Sequence, residues 1–211
     1  MDYLGYVTHY GHKNICRGVT EWRNSVGDIP IESTRPFNTI EKMNQKIVDN
    51  INDVVNENDW LFHLGDWSFG GYENIKKFRD RIICKNIILV LGNHDHHIEN
   101  NKGDVRDLFT HVFNYLTLYY DKREILLFHY PITSWNNMSR GSIHLHGHTH
   151  LPDNQKFSKG RRMDIGIDGN TKFKPYNLID ECILPLLSKP ISSEQEFKDH
   201  HIDEFTRIRK K

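Results

Sequence analysis

Short apolar, β-favouring runs punctuate the chain at residues 4–7, 60–64, 87–91, 125–128 and 142–145, and each gives way at once to polar residues. The tails are Thr8-His9, Gly65-Asp66, Gly92-Asn93-His94-Asp95, His129-Tyr130-Pro131 and His146-Gly147-His148-Thr149-His150. Between the first two runs, Ile40, Met43, Ile47, Ile51 and Val54 recur at helical spacing, with Asn38 as cap and Glu41 in the first turn. That pattern predicts an amphipathic helix over 38–56. Ile75, Phe78 and Ile82 predict a second over 73–82, and a third is expected near 105–113. Strands alternate with helices early and dominate later, so the expectation is an α/β fold with mixed sheets covered by helices. Ligands of such folds bind beyond the carboxyl ends of strands, where all these polar tails would meet.

At 211 residues, one catalytic domain over 1–187 is expected, followed by a charged C-terminal extension over 188–211 in which 194–208 forms at most a solvated helix. Residues 14–37, with Gly18, Gly27, Pro30 and Pro36 among Arg17, Arg23 and Arg35, form a long loop, either functional or a tolerated insertion. The formal net charge is zero, so nothing global attracts the chain to nucleic acid or an anionic membrane. Cys16, Cys84 and Cys182 are widely separated and suggest neither a disulfide framework nor a thiolate metal site. The start of the sequence lacks a signal-peptide pattern and no run is long enough to span a bilayer, so a cytoplasmic protein is expected.

The unusual feature of the composition is histidine. There are fourteen, and seven fall within 94–97 and 144–150. Gly65-Asp66 presents a carboxylate at a sharp turn, where it could bridge two cations. Gly92-Asn93-His94-Asp95 sets an amide oxygen, an imidazole and a carboxylate in succession. Asn93 could ligate, His94 face substrate, and Asp95 orient His94 or brace the loop. The alternating imidazoles of His146, His148 and His150 either share one face of an extended segment or, bent at Gly147, serve different metals.

In this order the motifs resemble the calcineurin-like metallophosphoesterase family, and most of all its small uncapped members from bacteria and phages. The matching stretches are Val7-Thr8-His9, Gly65-Asp66, Gly92 to Asp95, His129, Gly147 to His150 and, near the end, Ile165-Gly166-Ile167-Asp168. The resemblance implies a four-layer double β-sandwich of two mixed sheets flanked by helices, with two metal ions at the sheet edge. His9, Asp66 and His150 would hold one ion, and Asp66, Asn93, His129 and His148 the other. The metal-activated hydroxide would attack phosphorus, and His94, with Asp95 beside it, would assist departure of the leaving oxygen. The donors suit Mn²⁺ best, then Fe, Zn²⁺ or Ni²⁺.

One position departs from the family. Its first Asp falls here on Val7, which has no ligating atom. Three alternatives follow: a weak first site completed by water, a mononuclear enzyme, or a disabled one. The expected substrate is a small phosphodiester, pyrophosphate or phosphomonoester, nucleotide-like, contacted by His12, Arg17 and Arg35, with Arg23 or Arg140 as further anion contacts and Tyr10, Trp67 or Trp135 stacking a base. A single-strand nuclease and a non-catalytic metal- or nucleotide-binding module are the competing functions. The oligomeric state is left open.

Overall fold

The computed structural model describes residues 2–5, 7–157, 160–170 and 172–191, so most of the charged extension and both His200 and His201 lie outside the described residues. One sheet has the order β4-β3-β2-β1-β9, from β1 (Asp2–Gly5), β2 (Trp60–His63), β3 (Asn86–Val90), β4 (His111–Phe113) and β9 (Tyr176–Asn177). Strands β1 to β4 run parallel, and β9 pairs antiparallel with β1. The second sheet has the order β5-β6-β7-β8, from β5 (Tyr115–Tyr120), β6 (Arg123–Phe128), β7 (Ile143–His146) and β8 (Arg162–Asp164). Here β5 is antiparallel to β6, while β6, β7 and β8 are parallel. The fold is thus α/β, with two mixed sheets flanked by helices.

The continuous apolar runs are explained by burial on both faces, since successive side chains of a strand point to opposite sides. Leu61, Ile87 and Leu89 face a core with α1 (Ile40–Asn52) and α2 (Tyr72–Arg79), which contribute Met43, Ile47, Ile51, Ile75 and Phe78. Phe62, Leu64, Ile88 and Val90 face the other way and meet Ile125, Leu127, Ile143 and Leu145 of the second sheet. A π-helical turn (Leu178–Ile183) running into α4 (Leu184–Leu187) closes this inter-sheet core with Leu178, Cys182, Ile183 and Leu186. On the outer side of the second sheet, Trp135 packs on His144 with ring centroids 5.3 Å apart, and Arg162 donates to the Ile132 carbonyl at 2.8 Å.

The helices begin and end for local reasons. Thr39, rather than Asn38, caps α1, its hydroxyl accepting from Lys42 N at 3.2 Å. At its far end Asn52 donates to Arg81 O and accepts from Ile83 N, joining α1 to the chain leaving α2. The third expected helix is not one. Residues Lys102–Leu108 form a 3₁₀ stretch broken by left-handed Gly103 and Asp104, and 111–113 become β4. Edge pairing explains this: Thr110 N donates to Ile87 O at 2.8 Å, and its hydroxyl accepts from Ile87 N at 3.1 Å, which draws the segment onto β3. The short strands β8 and β9 likewise exist through their partners. The long loop is irregular except for a 3₁₀ turn at Ile31–Ser33 and a parallel bridge between Cys16 and Arg35. No helix of the described residues is long and apolar enough to cross a membrane.

Ile47 is 1% exposed on the inner face of α1, while Lys46 beside it is exposed. Ile47→Ala is therefore expected to lower the unfolding free energy by about 2–5 kcal/mol. Lys46→Ala should change it by no more than about 0.5 kcal/mol. Urea titration checks both, and equal effects would refute this assignment of the core face.

Candidate metal centre

All five polar tails leave the carboxyl ends of parallel strands, β1, β2 and β3 of one sheet and β6 and β7 of the other, and the backbone locks them together. His9 N donates to Asp66 O at 2.9 Å, and Gly147 N donates to His129 O at 3.0 Å. Gly65 and Gly92 let two of the loops touch: a Cβ on Gly65 would lie 2.5 Å from Gly92 N, and one on Gly92 would lie 2.4 Å from Asp66 Oδ1. Neither tolerates a side chain without separating the loops.

Asp66 sits at the junction, 1% exposed. Its Oδ1 accepts from His94 N at 2.9 Å, and its Oδ2 lies 3.4 Å from His9 Nε2 and 3.4 Å from His129 Nε2. Asn93 Oδ1 stands 3.1 Å from His129 Nε2 and 3.0 Å from His148 Nδ1. On the other flank His9 Nε2 and His150 Nε2 are 2.8 Å apart. The buried floor of the site is His9, Asp66 and His129, and Asn93, His94, His148 and His150 form its accessible rim.

Four of these residues, His9, Asp66, His148 and His150, hold left-handed backbone angles, with φ of 50°, 52°, 67° and 51°. Each costs a non-glycine residue on the order of 1–3 kcal/mol, a strain that collects at functional sites.

The donor set fits a divalent cation. His129 Nδ1 donates to the Leu64 carbonyl at 2.6 Å, which turns its Nε2 lone pair toward the Asn93 and Asp66 oxygens. Burial holds the His129 pKa below the ordinary imidazole value despite the Asp66 carboxylate. Ligand atoms of Asp66, His129 and His148 all lie within 4.8 Å of one another, and among the described residues they form the cluster suited to hold an ion. On the other flank His9 is pushed well below the ordinary value, by burial first and then by His150 and Arg35. His12, whose Nδ1 accepts from Ile15 N, is brought down to about 4 by burial first and then by His94. Imidazoles kept neutral are available as ligands.

Several expected roles change. Asp95 was expected either to act beside His94 or to brace the loop, and the geometry favours bracing: it is 2% exposed and accepts from Asp66 N, Gly92 N and Trp67 N at 2.7, 2.8 and 2.9 Å. It braces two ligand loops. Burial and the Asp66 carboxylate raise its pKa to about 7 against the pull of those N–H groups. Arg35, an expected substrate contact, is 2% exposed and bonded to Asp168 and to the Thr8 carbonyl, which leaves its guanidinium no open side. Arg17, another, spends its guanidinium on Ile31 O, Thr34 O and Thr34 Oγ1 within the long loop. His12 does reach the site, its ring 5.6 Å from that of His9. Tyr10, Trp67 and Trp135 are buried, Tyr10 stacked on Phe78 at 4.4 Å, and offer no face to a base.

The aromatic walls of the site are Phe69, 4.5 Å from the His94 ring and 3.9 Å from that of His12, and Tyr130, 5.0 Å from His148. Their signal in the sequence was only proximity to Asp66 and His129. Asp164 was also missed. It accepts from the Thr149 hydroxyl, from Leu151 N at 3.2 Å and from Gly166 N at 2.7 Å, and so shapes the loop carrying His148 and His150.

Two packed mixed sheets with imidazole, carboxylate and amide donors on strand-end loops define a metal-dependent hydrolase architecture. Residues 43–173 match the model of the calcineurin-like phosphoesterase superfamily domain, and the chain belongs to that superfamily. It is accordingly a metal-dependent phosphoesterase in the general sense. The chain is 27% identical, over 191 residues, to an uncharacterized protein of Methanocaldococcus jannaschii, covering 89% of this chain and 91% of that one. The crystal structure of a protein of unknown function from Aquifex aeolicus matches with a TM-score of 0.55 and 22% identity, over 83% of this chain and 94% of that one, a likeness of fold.

Two measurements follow. Asp95→Ala removes the acceptor of three backbone N–H groups, each orphaned donor costing about 1–3 kcal/mol. A lower thermal midpoint is expected together with weaker Mn²⁺ binding, and an unchanged midpoint would contradict the bracing role. His63 and His144 are buried, with pKa lowered to about 3 by burial in both. Their unfolded value is about 6.5, so between these limits only the unfolded chain binds the proton and stability falls as pH falls. In metal-free protein the expected slope is on the order of 1 kcal/mol per pH unit for each histidine. A urea midpoint that does not move between about pH 6 and pH 4.5 would exclude it.

Proposed function

We propose that the chain hydrolyses a small phosphodiester, pyrophosphate or phosphomonoester with nucleotide-like character, using two divalent cations, Mn²⁺ by preference. The observation that carries this reading is the single Asp66 oxygen lying 3.4 Å from an imidazole nitrogen on each flank, His9 on one and His129 on the other. His9, Asp66 and His150 are the donors of the first site. Asp66, Asn93, His129 and His148 are those of the second. Two divalent cations in such a site withdraw charge from phosphoryl oxygens and lower the pKa of a water molecule.

The chain's own residues supply position and a proton. His94 is anchored through its backbone N on Asp66 Oδ1 and leans on the Phe69 ring, so its exposed imidazole overhangs the buried ligands. From there it donates to the leaving oxygen. Phe69 and Tyr130 flank the entrance and favour a substrate with a planar group beside the phosphate. A net charge of zero favours a small substrate over a long polyanion.

Val7 favours a second reading, a metal-binding module without turnover. Its side chain is 1% exposed and fills the space against Gly147, where a Cβ would come within 2.1 Å of Val7 Cγ2. Metal analysis beside Mn²⁺-dependent hydrolysis of an aryl phosphodiester separates the two. Under the enzyme reading the chain turns over, Val7→Asp tightens the weaker cation, and His94→Ala lowers the rate by about 10²–10⁴. Activity in Val7→Asp alone would favour the module. No hydrolysis of diester, pyrophosphate or monoester by either protein would sink the enzyme reading.

A further inference from the structure

Beside the first site lies a buried ion pair that none of the roles above requires. Arg35 comes from the long loop, and its side chain is 1% exposed. Its Nε donates to Asp168 Oδ1 at 2.8 Å, its Nη2 to Asp168 Oδ2 at 3.1 Å, and its Nη1 to the Thr8 carbonyl at 2.6 Å. Asp168 Oδ2 also accepts from His150 Nδ1 at 2.6 Å. Both carboxylate oxygens are therefore engaged, and Asp168 is not a substitute ligand for the carboxylate that Val7 lacks.

The geometry has two consequences. A carboxylate bonded to an arginine can only accept, so His150 carries its proton on Nδ1 and turns the Nε2 lone pair toward His9 Nε2, 2.8 Å away. The same guanidinium holds the peptide before His9 through the Thr8 carbonyl, so one side chain fixes the spacing of both first-site imidazoles. His9 has no such partner of its own, since its buried Nδ1 lacks a hydrogen bond. The second site draws nothing from this pair, because His129 is oriented by the Leu64 carbonyl instead.

We propose that Asp168, clamped by Arg35, is the positioning residue of the first cation site, presenting His150 Nε2 to the cation and preserving that site where Val7 has removed a carboxylate. This rests on the two-cation reading above.

The test is Mn²⁺ binding to the full-length, metal-stripped chain by titration calorimetry, with the first site identified as the one lost in His150→Ala. In Asp168→Asn the first cation should bind about 10–100-fold more weakly, with the second unchanged. Because Asp168→Asn leaves a buried guanidinium unpaired, Arg35→Met combined with Asp168→Asn is measured alongside it and should give the same selective loss. Retention of the second cation certifies a folded site in each variant. Equal binding of both cations by wild type and the double variant overturns the inference, as does parallel weakening at both sites, the mark of a merely structural pair. A wild-type chain that binds one cation, insensitive to His150→Ala, overturns both this inference and the two-cation reading. Two cations unaffected by Asp168→Asn overturn this one alone.

Discussion

The carboxylate of Asp66 is the point on which both halves of the site depend. One of its oxygens is committed to the backbone N–H of His94, which leaves the other facing His9 and His129 from opposite sides. That division is possible only because Asp95 holds the peptide of Asp66 from behind while also holding Gly92 and Trp67. A buried acceptor serving three N–H donors makes loops from two adjacent strands behave as one rigid piece. Movement of either loop would carry Asp66 with it.

This rigidity has an energetic cost that the rest of the fold must offset. Four residues of the site sit in the left-handed region, and burial holds the pKa of His9 and His129 below the ordinary imidazole value. Neither feature is stable in isolation. Both persist because the strands beneath are buried on two faces, against helices on one side and the second sheet on the other. Close packing transmits such constraints, so loops on this platform keep a conformation that free loops would abandon.

The two flanks of the site are built unequally. On the second flank Asn93, His129 and His148 converge with Asp66, and His129 is oriented by a main-chain carbonyl. On the first flank the buried Val7 brings no ligating atom, and the two imidazoles are aligned by an arginine–aspartate pair drawn from distant parts of the chain. A main-chain carbonyl is fixed by the sheet, whereas an ion pair joining a loop to the C-terminal third depends on both ends staying in place. The first flank is therefore the one open to adjustment by substitution.

The central strands and the two amphipathic helices were legible in the sequence because their signals are local: unbroken apolar runs for strands covered on both faces, and a period of three to four for α1 and α2. The ligand candidates were legible for the same reason, each set immediately beyond such a run. The short strands were not. Residues 111–113 look helical alone and become β4 because the edge of β3 offers partners. Nor could any local pattern choose between the bracing and reacting roles open to Asp95, or say that Arg35 is buried rather than facing substrate, or that Phe69 and Tyr130 wall the site while Tyr10 and Trp67 fill the core. Those roles depend on which side chains lie within about 3 Å across tens of residues of chain, a distance set when the sheets pack. The sequence by itself determined the kinds of donors and the strand ends that carry them. Tertiary structure decided which carboxylates face a cation and which hold the ligands in place.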